Sequence, residues 1–194
     1  YITDVIEIML SEGEKVGAYV TDLEQTMGVN DKLQLSQVGK ILNRRKVEAL
    51  MLAGVTIIDP DKVQVTTNVK VGRDTVLYPG TVLEGDTVIG ENCVIGSNTS
   101  LNNCKVGNNT KILETVGIDS EIGSDTNVGP FAYLRPGTKV GSEVKIGDFV
   151  EVKNSTIDDG TKVAHLTYIG DADVGKRVNF GCGTVVVNYD GVNK

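Results

Sequence analysis

The sequence predicts a mainly β protein, a left-handed parallel β-helix in which short strands and tight turns wind around a narrow core. Three observations predict it. An aliphatic residue recurs at every sixth position over long stretches, a small or β-branched residue often stands four places later, and glycine often follows the aliphatic residue directly. This period is too short for paired helices but fits a strand of a few residues and a turn. The leading aliphatic residues are Val71, Leu77, Leu83, Ile89, Ile95, Ile122, Val128, Leu134, Val140, Ile146 and Val152.

Three six-residue blocks would close one triangular coil, so the stretch from Val71 to Val186 predicts about six coils. Some repeats are shorter. Leu101 to Val106, Val152 to Ile157 and Ile169 to Val174 are each five residues apart, and Ile118 to Ile122 is four. Because regular blocks continue on both sides, we interpret these as shortened corners that stay in register, or as bulges that shape a cleft.

The residues before the repeats have a different pattern. Apolar residues at helical spacing predict a helix from about Asp4 to Gly13, and Val16 to Val20 are predicted to form a strand. A second helix is predicted from its candidate N-cap Asp31 to Ala53, with Gly54 as its stop. The predicted domains are 1–30, the C-terminal remnant of an α/β domain; 31–54, a linker helix; and 60–194, the β-helix.

Composition excludes several functional classes. The 194 residues carry 19 Lys plus Arg against 26 Asp plus Glu, a net charge of −7, which argues against non-specific nucleic-acid binding. No apolar run is long enough to insert into a membrane. The three cysteines are odd in number and lack metal-ligand spacing, which predicts a reduced, cytoplasmic protein. The chain starts at Tyr1 without Met, so a fragment truncated at both ends is expected.

Four stretches contain polar residues that the solenoid itself does not need. Arg135 and Lys153 are 18 residues apart, Lys153 and His165 are 12 apart, and His165 and Asn179 are 14 apart. Residues separated by near-multiples of six fall at similar places on successive coils, so these side chains are expected to gather along one edge. The stretches are LRPG (134–137), FVEVKN (149–154), AHLTYIGD (164–171), and NFGCG (179–183) followed by NYDGVNK (188–194).

This edge would combine two cations, one imidazole, one phenol and several amides. Arg135, Lys153 and Lys194 suit a phosphate or another anion. His165 is the only histidine and suits proton abstraction from an amine. Tyr168 and the amides of Asn179 and Asn188 suit a polyhydroxylated substrate. Spacing alone leaves open that the cations form a solvated face and that His165 is a surface histidine.

These motifs, in this order on a hexapeptide solenoid, resemble the bacterial family of bifunctional N-acetylglucosamine-1-phosphate uridyltransferases and glucosamine-1-phosphate acetyltransferases. The first residues, YITDVIEIML, then GVNDKLQLS and a helix ending in LAGV, resemble that family's domain junction. The resemblance covers essentially the whole chain. It implies that the solenoid transfers acetyl from acetyl-CoA to the amine of glucosamine 1-phosphate.

The resemblance also implies a role for each matching residue. His165 would be the general base. Arg135, Lys153 and Lys194 would contact the substrate, including its phosphate, and Tyr168 and Asn179 would bind the sugar. Acetyl-CoA would be held by the segment containing Cys182, Asn188 and Tyr189. Cys182 stands where the family often has Ala, and a backbone N–H of its segment would face the thioester oxygen.

The N-terminal part of such a protein is implied to transfer uridylyl from UTP to N-acetylglucosamine 1-phosphate with Mg²⁺, making UDP-N-acetylglucosamine for peptidoglycan and lipopolysaccharide. Residues 1–30 would be the remnant of that nucleotidyltransferase domain, and Asn30 its one Mg²⁺ ligand here. The family implies a homotrimer with the acetyltransferase site between subunits. The chain alone is expected to be inactive or weak, since the coils completing the CoA pocket would follow Lys194.

Three alternatives were weighed. A carbonic anhydrase on a hexapeptide solenoid needs several histidines on zinc, and one histidine per chain does not supply them. A purely structural or binding solenoid would need no base at His165. An acyltransferase with another amino-sugar acceptor would lack selectivity for the sugar phosphate. The last two remain open on sequence.

Overall fold

The computed structural model of the chain describes residues 1 and 3–192. The chain divides into two compact units, residues 1–41 and 42–194. The helices are α1 (Asp4–Ser11) and α2 (Lys32–Leu52), and two single 3₁₀ turns cover Leu23–Gln25 and Pro60–Lys62.

The predicted N-terminal helix is confirmed as α1, whereas Val16 to Val20 form no strand and remain irregular. All five of these residues are exposed, so no packed sheet stabilises an extended pairing there. The N-cap prediction for α2 is confirmed, because an Asp31 carboxylate oxygen accepts the backbone N–H of Gln34 at 2.7 Å.

In the second unit, described strands follow one another at short intervals. They are β1 (Thr56–Ile57), β2 (Gln64–Val65), β3 (Lys70–Val71), β4 (Val76–Leu77), β5 (Val82–Glu84), β6 (Val88–Ile89), β7 (Val94–Ile95), β8 (Ser100–Asn102), β9 (Lys105–Val106), β10 (Lys111–Ile112) and β11 (Val116–Ile118). They continue as β12 (Glu121–Ile122), β13 (Asn127–Val128), β14 (Tyr133–Leu134), β15 (Lys139–Val140), β16 (Lys145–Asp148), β17 (Glu151–Lys153), β18 (Thr156–Ile157), β19 (Lys162–His165), β20 (Tyr168–Gly170), β21 (Asp173–Val174) and β22 (Asn179–Phe180).

Each strand pairs in parallel with the strand three places later in the chain, which produces three sheets around one core. Sheet 1 has the order β1-β4-β7-β10-β13-β16-β19-β22, sheet 2 the order β2-β5-β8-β11-β14-β17-β20, and sheet 3 the order β3-β6-β9-β12-β15-β18-β21. The predicted left-handed parallel β-helix is confirmed, with about seven turns. The count exceeds six because strands begin at Thr56, well ahead of Val71, from which the six coils were counted.

The core is a column of the predicted aliphatic residues. Leu77, Leu83, Ile95 and Leu134 have no exposed surface. At the first turns α2 adds Val47 and Leu50 to the same cluster. The side-chain amide of Asn43 donates to Val63 O at 2.9 Å and accepts from Val65 N at 2.8 Å, so the part of α2 that belongs to this unit is tied to the first turn of the solenoid.

One register assignment from sequence is wrong. Gly117, not Ile118, is the inward residue of β11 and pairs with Leu101 and Leu134 on either side. A side chain at Gly117 would approach Leu101 Cδ2 to 2.9 Å and Cys104 Sγ to 3.2 Å, so the core is already filled there. The apparent four-residue repeat from Ile118 to Ile122 is therefore a five-residue repeat from Gly117.

The residue four places after most leading aliphatic residues is buried, as the pattern predicts; after Val152, where the repeat is one residue shorter, the buried residue is Ser155. Thr126 is an example: its hydroxyl donates to Gly141 O at 2.9 Å and accepts the N–H of Val144 at 3.2 Å. Most of these hydroxyls thus link one turn to the next. Among the described residues, Thr99 Oγ1 is the buried side-chain oxygen or nitrogen with no partner.

Because the Thr126 hydroxyl is hydrogen-bonded and the Thr99 hydroxyl is not, replacing each threonine by valine should change stability by different amounts. Thr126→Val should lower the free energy of unfolding by about 1–3 kcal/mol, because it leaves the buried Gly141 O and Val144 N–H of the neighbouring turn without this hydrogen-bond partner. Thr99→Val should change it little, since no described hydrogen bond is lost. Urea midpoints followed by circular dichroism compare the two variants, and equal losses would contradict the inter-turn role of Thr126.

Candidate active site

The centre of the candidate site is a corner between sheet 1 and sheet 2. His165 is the last residue of β19 and Asp148 is the last residue of β16, and the two are direct partners in the parallel ladder. His165 Nδ1 lies 2.7 Å from Asp148 Oδ1. Their side chains are 55% and 40% exposed, so a substrate can reach them from solvent. Within the described chain, Nε2 of His165 has no hydrogen-bond partner.

The local sequence explains why these two residues meet. β16 and β19 each have four residues, whereas the other described strands have two or three. Gly147 allows the close approach, because a Cβ there would stand 1.8 Å from Ala164 O. Both strands end where Phe149 and Leu166 adopt left-handed backbone angles, with φ of 54° and 46°, which turn the chain into sheet 2.

At the C-terminal ends of its strands, sheet 2 presents the two predicted phosphate-binding cations, each paired with a carboxylate. Arg135 Nη1 lies 2.8 Å from Glu151 Oε1, and this hydrogen bond raises the pKa of the guanidinium. Lys153 Nζ lies 3.1 Å from Asp171 Oδ2. An anionic substrate would therefore have to compete with, or bridge, two existing ion pairs.

Asp171 connects residues from three successive turns. Its carboxylate accepts the side-chain N–H of Asn154 at 2.8 Å, the ammonium of Lys153 and the side-chain N–H of Asn188. These hydrogen bonds, that of Asn154 first, lower the pKa of Asp171 from 3.8 to about 2. Asn188 also donates to Tyr168 Oη at 3.3 Å, so the predicted sugar-binding and CoA-binding residues share one network.

Tyr168 and Asn188 lie over Gly170 of β20. A Cβ at that position would stand 2.3 Å from Tyr168 Oη and 2.6 Å from Asn188 Nδ2. The absence of a side chain at Gly170 therefore makes the space in which the phenol and the amide meet.

Other predicted residues lie outside this network. Asn179 begins β22 on sheet 1, beside Lys162. Cys182 carries an exposed free thiol, and the N–H of Gly183 next to it donates to His165 O at 3.3 Å, so this segment runs along the His165 turn. Tyr189 instead donates its hydroxyl to Gly191 O at 2.8 Å. Lys194 lies outside the described residues.

Asn30 lies in the 1–41 unit, where its backbone N–H donates to the side-chain oxygen of Gln34 at 2.7 Å. Over residues 1 and 3–192, no group of three or more His, Cys, Asp or Glu residues is placed to hold a metal ion. In the same part of the chain, no helix is long and apolar enough to cross a bilayer.

Sequence reasoning missed the three carboxylates Asp148, Glu151 and Asp171. Each lies about one turn from its partner: 17 residues for Asp148 and His165, 16 for Arg135 and Glu151, and 18 for Lys153 and Asp171. The spacing argument that grouped the cations applies equally to these carboxylates, but it was used only for the cationic, imidazole and amide side chains.

The low pKa of Asp171 predicts a pH-dependent contribution to stability. A carboxyl whose pKa is depressed on folding stabilises the native state above its unfolded pKa, and this contribution is lost as pH falls through about 2. Asp171→Asn should therefore reduce the fall in urea midpoint between about pH 4 and pH 2. Asp173→Asn, at an exposed carboxyl on β21, is the matched control and should keep the wild-type slope. Identical slopes in all three proteins would refute the assignment.

Comparison with known proteins fits this geometry. Residues 68–103 and 119–154 match the family profile of the bacterial transferase hexapeptide, with six repeats. The bifunctional protein GlmU of Clostridium perfringens is 55% identical over 194 residues, and that of Acetivibrio thermocellus is 52% identical over 195. The chain belongs to the GlmU family. These alignments cover 100% of the chain but 43% and 42% of the two GlmU proteins, so the chain spans less than half of their length.

Solved structures give weaker matches. PerB from Caulobacter crescentus, in complex with CoA and GDP-perosamine, is 19% identical with a TM-score of 0.40, over 88% of this chain and 85% of that one. The acetyltransferase domain of PglB from Neisseria gonorrhoeae is 13% identical with a TM-score of 0.42, over 71% and 62%.

Proposed function

We propose that the GlmU protein containing this chain transfers an acetyl group from acetyl-CoA to the amine of glucosamine 1-phosphate, with His165 as general base. The observation that supports this proposal is that His165, Lys153, Tyr168 and Asn188 lie on neighbouring turns of the solenoid. His165 ends β19 and Tyr168 opens β20 three residues later, while Lys153 and Asn188 reach Tyr168 through the Asp171 network.

The proposed reaction needs one base and one departing thiol. The amine nitrogen attacks the thioester carbonyl, and His165 Nε2 takes the proton that the amine loses. As the new C–N bond forms, the C–S bond breaks, and the sulfur of CoA leaves as a thiol after receiving a proton from the imidazolium. A backbone N–H in the Cys182 segment, which runs beside the His165 turn, would stabilise the developing oxyanion.

The two ion pairs on sheet 2 would bind the sugar phosphate. Arg135 and Lys153 stand on adjacent turns, and their side chains are 38% and 21% exposed, so a phosphate would replace the carboxylate now bound to each cation. Tyr168, Asn179 and Asn188 would bind sugar hydroxyls and the cosubstrate, with Tyr189 contributing to the CoA side. Lys194 is kept in this proposal as a further phosphate contact.

The whole protein would carry a second activity in the cytoplasm, uridylyl transfer from UTP to N-acetylglucosamine 1-phosphate. Its product, UDP-N-acetylglucosamine, would serve peptidoglycan and lipopolysaccharide synthesis. Mg²⁺ would support that step, and the side-chain oxygen of Asn30 is of the ligand type that Mg²⁺ prefers. Most of the ligands would come from residues outside this chain.

A homotrimer is part of the proposal. The rings of Phe131 and Phe149 stack with centroids 5.4 Å apart, and both are more than half exposed. Leu166 follows at the same corner on the next turn and is 56% exposed. An exposed apolar strip beside a polar site is typical of a subunit interface.

The acceptor profile of the full-length protein tests the proposal. Acetylated product is separated by chromatography after incubation with acetyl-CoA and either glucosamine 1-phosphate or UDP-glucosamine. Strong preference for the sugar phosphate is expected, because Arg135 and Lys153 would bind a terminal phosphate. Equal rates would favour an acyltransferase with another acceptor, and no transfer to any amino sugar would favour a binding solenoid.

A further inference from the structure

The pairing of Asp148 with His165 has a chemical consequence beyond holding the turn. The two residues are neighbours in the ladder, and Leu166 N donates to Asp148 O at 3.1 Å, so the backbone fixes both Cα positions. The side chains then meet at 2.7 Å through one particular ring nitrogen, Nδ1. A backbone-fixed pair leaves the imidazole few alternative orientations.

The carboxylate determines which nitrogen carries the proton. The hydrogen bond from His165 lowers the pKa of Asp148, so the group is an anion at neutral pH and can only accept a hydrogen bond. Nδ1 must therefore be the protonated nitrogen of the neutral ring. Nε2, which lacks a partner in the described part of the chain, then carries the free lone pair.

We propose that Asp148 is a positioning residue that holds His165 in the Nδ1–H tautomer and stabilises the imidazolium formed when Nε2 takes a proton. This inference rests on the proposed role of His165 as general base. Asp148 would touch neither the amine nor the thioester, and would act only through the ring.

A role in fold stability alone does not explain the pair well. Both side chains are about half exposed, and ion pairs at such exposure contribute little to stability. The pair is distinguished by its position at the ends of β16 and β19, which have four residues each, whereas the other described strands have two or three. Removal of Asp148 should therefore affect the ring and the chemistry more than the fold.

The tautomer can be measured without any assay of activity. His165 is the only histidine of the chain, so selective ¹⁵N labelling of histidine gives signals from one ring. The wild-type chain should show a protonated Nδ1 and an unprotonated Nε2 above neutral pH. In Asp148→Ala the Nε2–H form should gain population, whereas Asp173→Ala, the control on the exposed face of β21, should match wild type. An unchanged tautomer in Asp148→Ala would overturn the proposal.

Kinetics in the full-length protein provide the second measurement. Asp148→Ala should lower kcat for acetyl transfer by roughly 10- to 100-fold, less than the loss seen for a buried Asp–His pair. KM for glucosamine 1-phosphate should change much less, since Asp148 does not contact the sugar. Asp148→Asn keeps the shape but has no charge and can donate to Nδ1, so it should fold like wild type and lose kcat about as much as Asp148→Ala.

The two measurements separate failure of this inference from failure of the proposed function. If the tautomer changes in Asp148→Ala but kcat does not, Asp148 pairs with His165 without positioning a base, and the inference is wrong. If wild type transfers no acetyl group to glucosamine 1-phosphate, the proposed function fails, and the catalytic part of this inference fails with it. A tautomer shift together with a selective loss of kcat supports both.

Discussion

Replacement of His165 by alanine in the full-length protein is expected to lower kcat for acetyl transfer by about 10²- to 10⁴-fold, the usual contribution of a general base. The physical reason is that a neutral amine loses a proton as it attacks the thioester, and Nε2 of His165 is the available acceptor at the corner. KM for glucosamine 1-phosphate should rise little, because the phosphate would be bound by Arg135 and Lys153. Initial rates at varied acceptor concentration measure both constants.

Two controls make this experiment specific. Lys162→Ala changes an exposed residue of the same strand, β19, and should keep kcat near the wild-type value. Uridylyl transfer by the same His165→Ala protein should also be unaffected, because it is assigned to Asn30 and to residues outside this chain, and not to the β-helix. If His165→Ala retains nearly full kcat, the general-base role is lost and a binding solenoid becomes the better explanation.

The second large effect is expected from Gly147→Ala, which should lower the free energy of unfolding by about 3 kcal/mol, at the upper end for overpacking. The added Cβ would stand 1.8 Å from Ala164 O, a backbone atom on the next turn that cannot rotate away. This clash can be relieved only if β16 and β19 separate, and that movement would also take Asp148 away from His165. Stability and acetyl transfer should therefore fall together.

Gly175→Ala is the matched control. Gly175 also follows a leading aliphatic residue, but a Cβ there would have no heavy atom within 4 Å. Its urea midpoint, followed by circular dichroism, should equal or slightly exceed that of wild type, since alanine restricts the unfolded chain more than glycine does. Equal losses for the two variants would show that the cost comes from replacing glycine itself rather than from the contact with Ala164.

The solenoid could be predicted from sequence because its core repeats with a fixed short period. Every turn places a leading aliphatic residue inward, so an error at one turn does not spread to the next. The error at β11 arose because Gly117 takes the inward place between two aliphatic neighbours, Val116 and Ile118. Glycine takes the inward position because Leu101 and Cys104 already fill the core there, and the order of residues along the chain does not show how much of the core is filled.

The site was predicted in part for the same geometric reason. Arg135, Lys153 and His165 were grouped because their spacing follows the turn length, and the structure brings them to neighbouring turns. Their carboxylate partners have the same spacing, but a spacing of about one turn does not show which side-chain rotamers bring two groups into hydrogen-bond contact, so the ion pairs were missed. The roles of Asn179, Tyr189 and Asn30 stay predictions.

The stacking of turns separates the chemistry of this protein from its length. Each ion pair of the site joins one turn to the next, and the described partners of the site all come from residue 135 onward. Gain or loss of one whole turn between β3 and β10 would leave every distance within the site unchanged while moving the site along the axis. The position of the site along the axis and its reactivity can therefore evolve independently in such a protein. The position is set by the number of turns, and the reactivity by the three turns that contain the site.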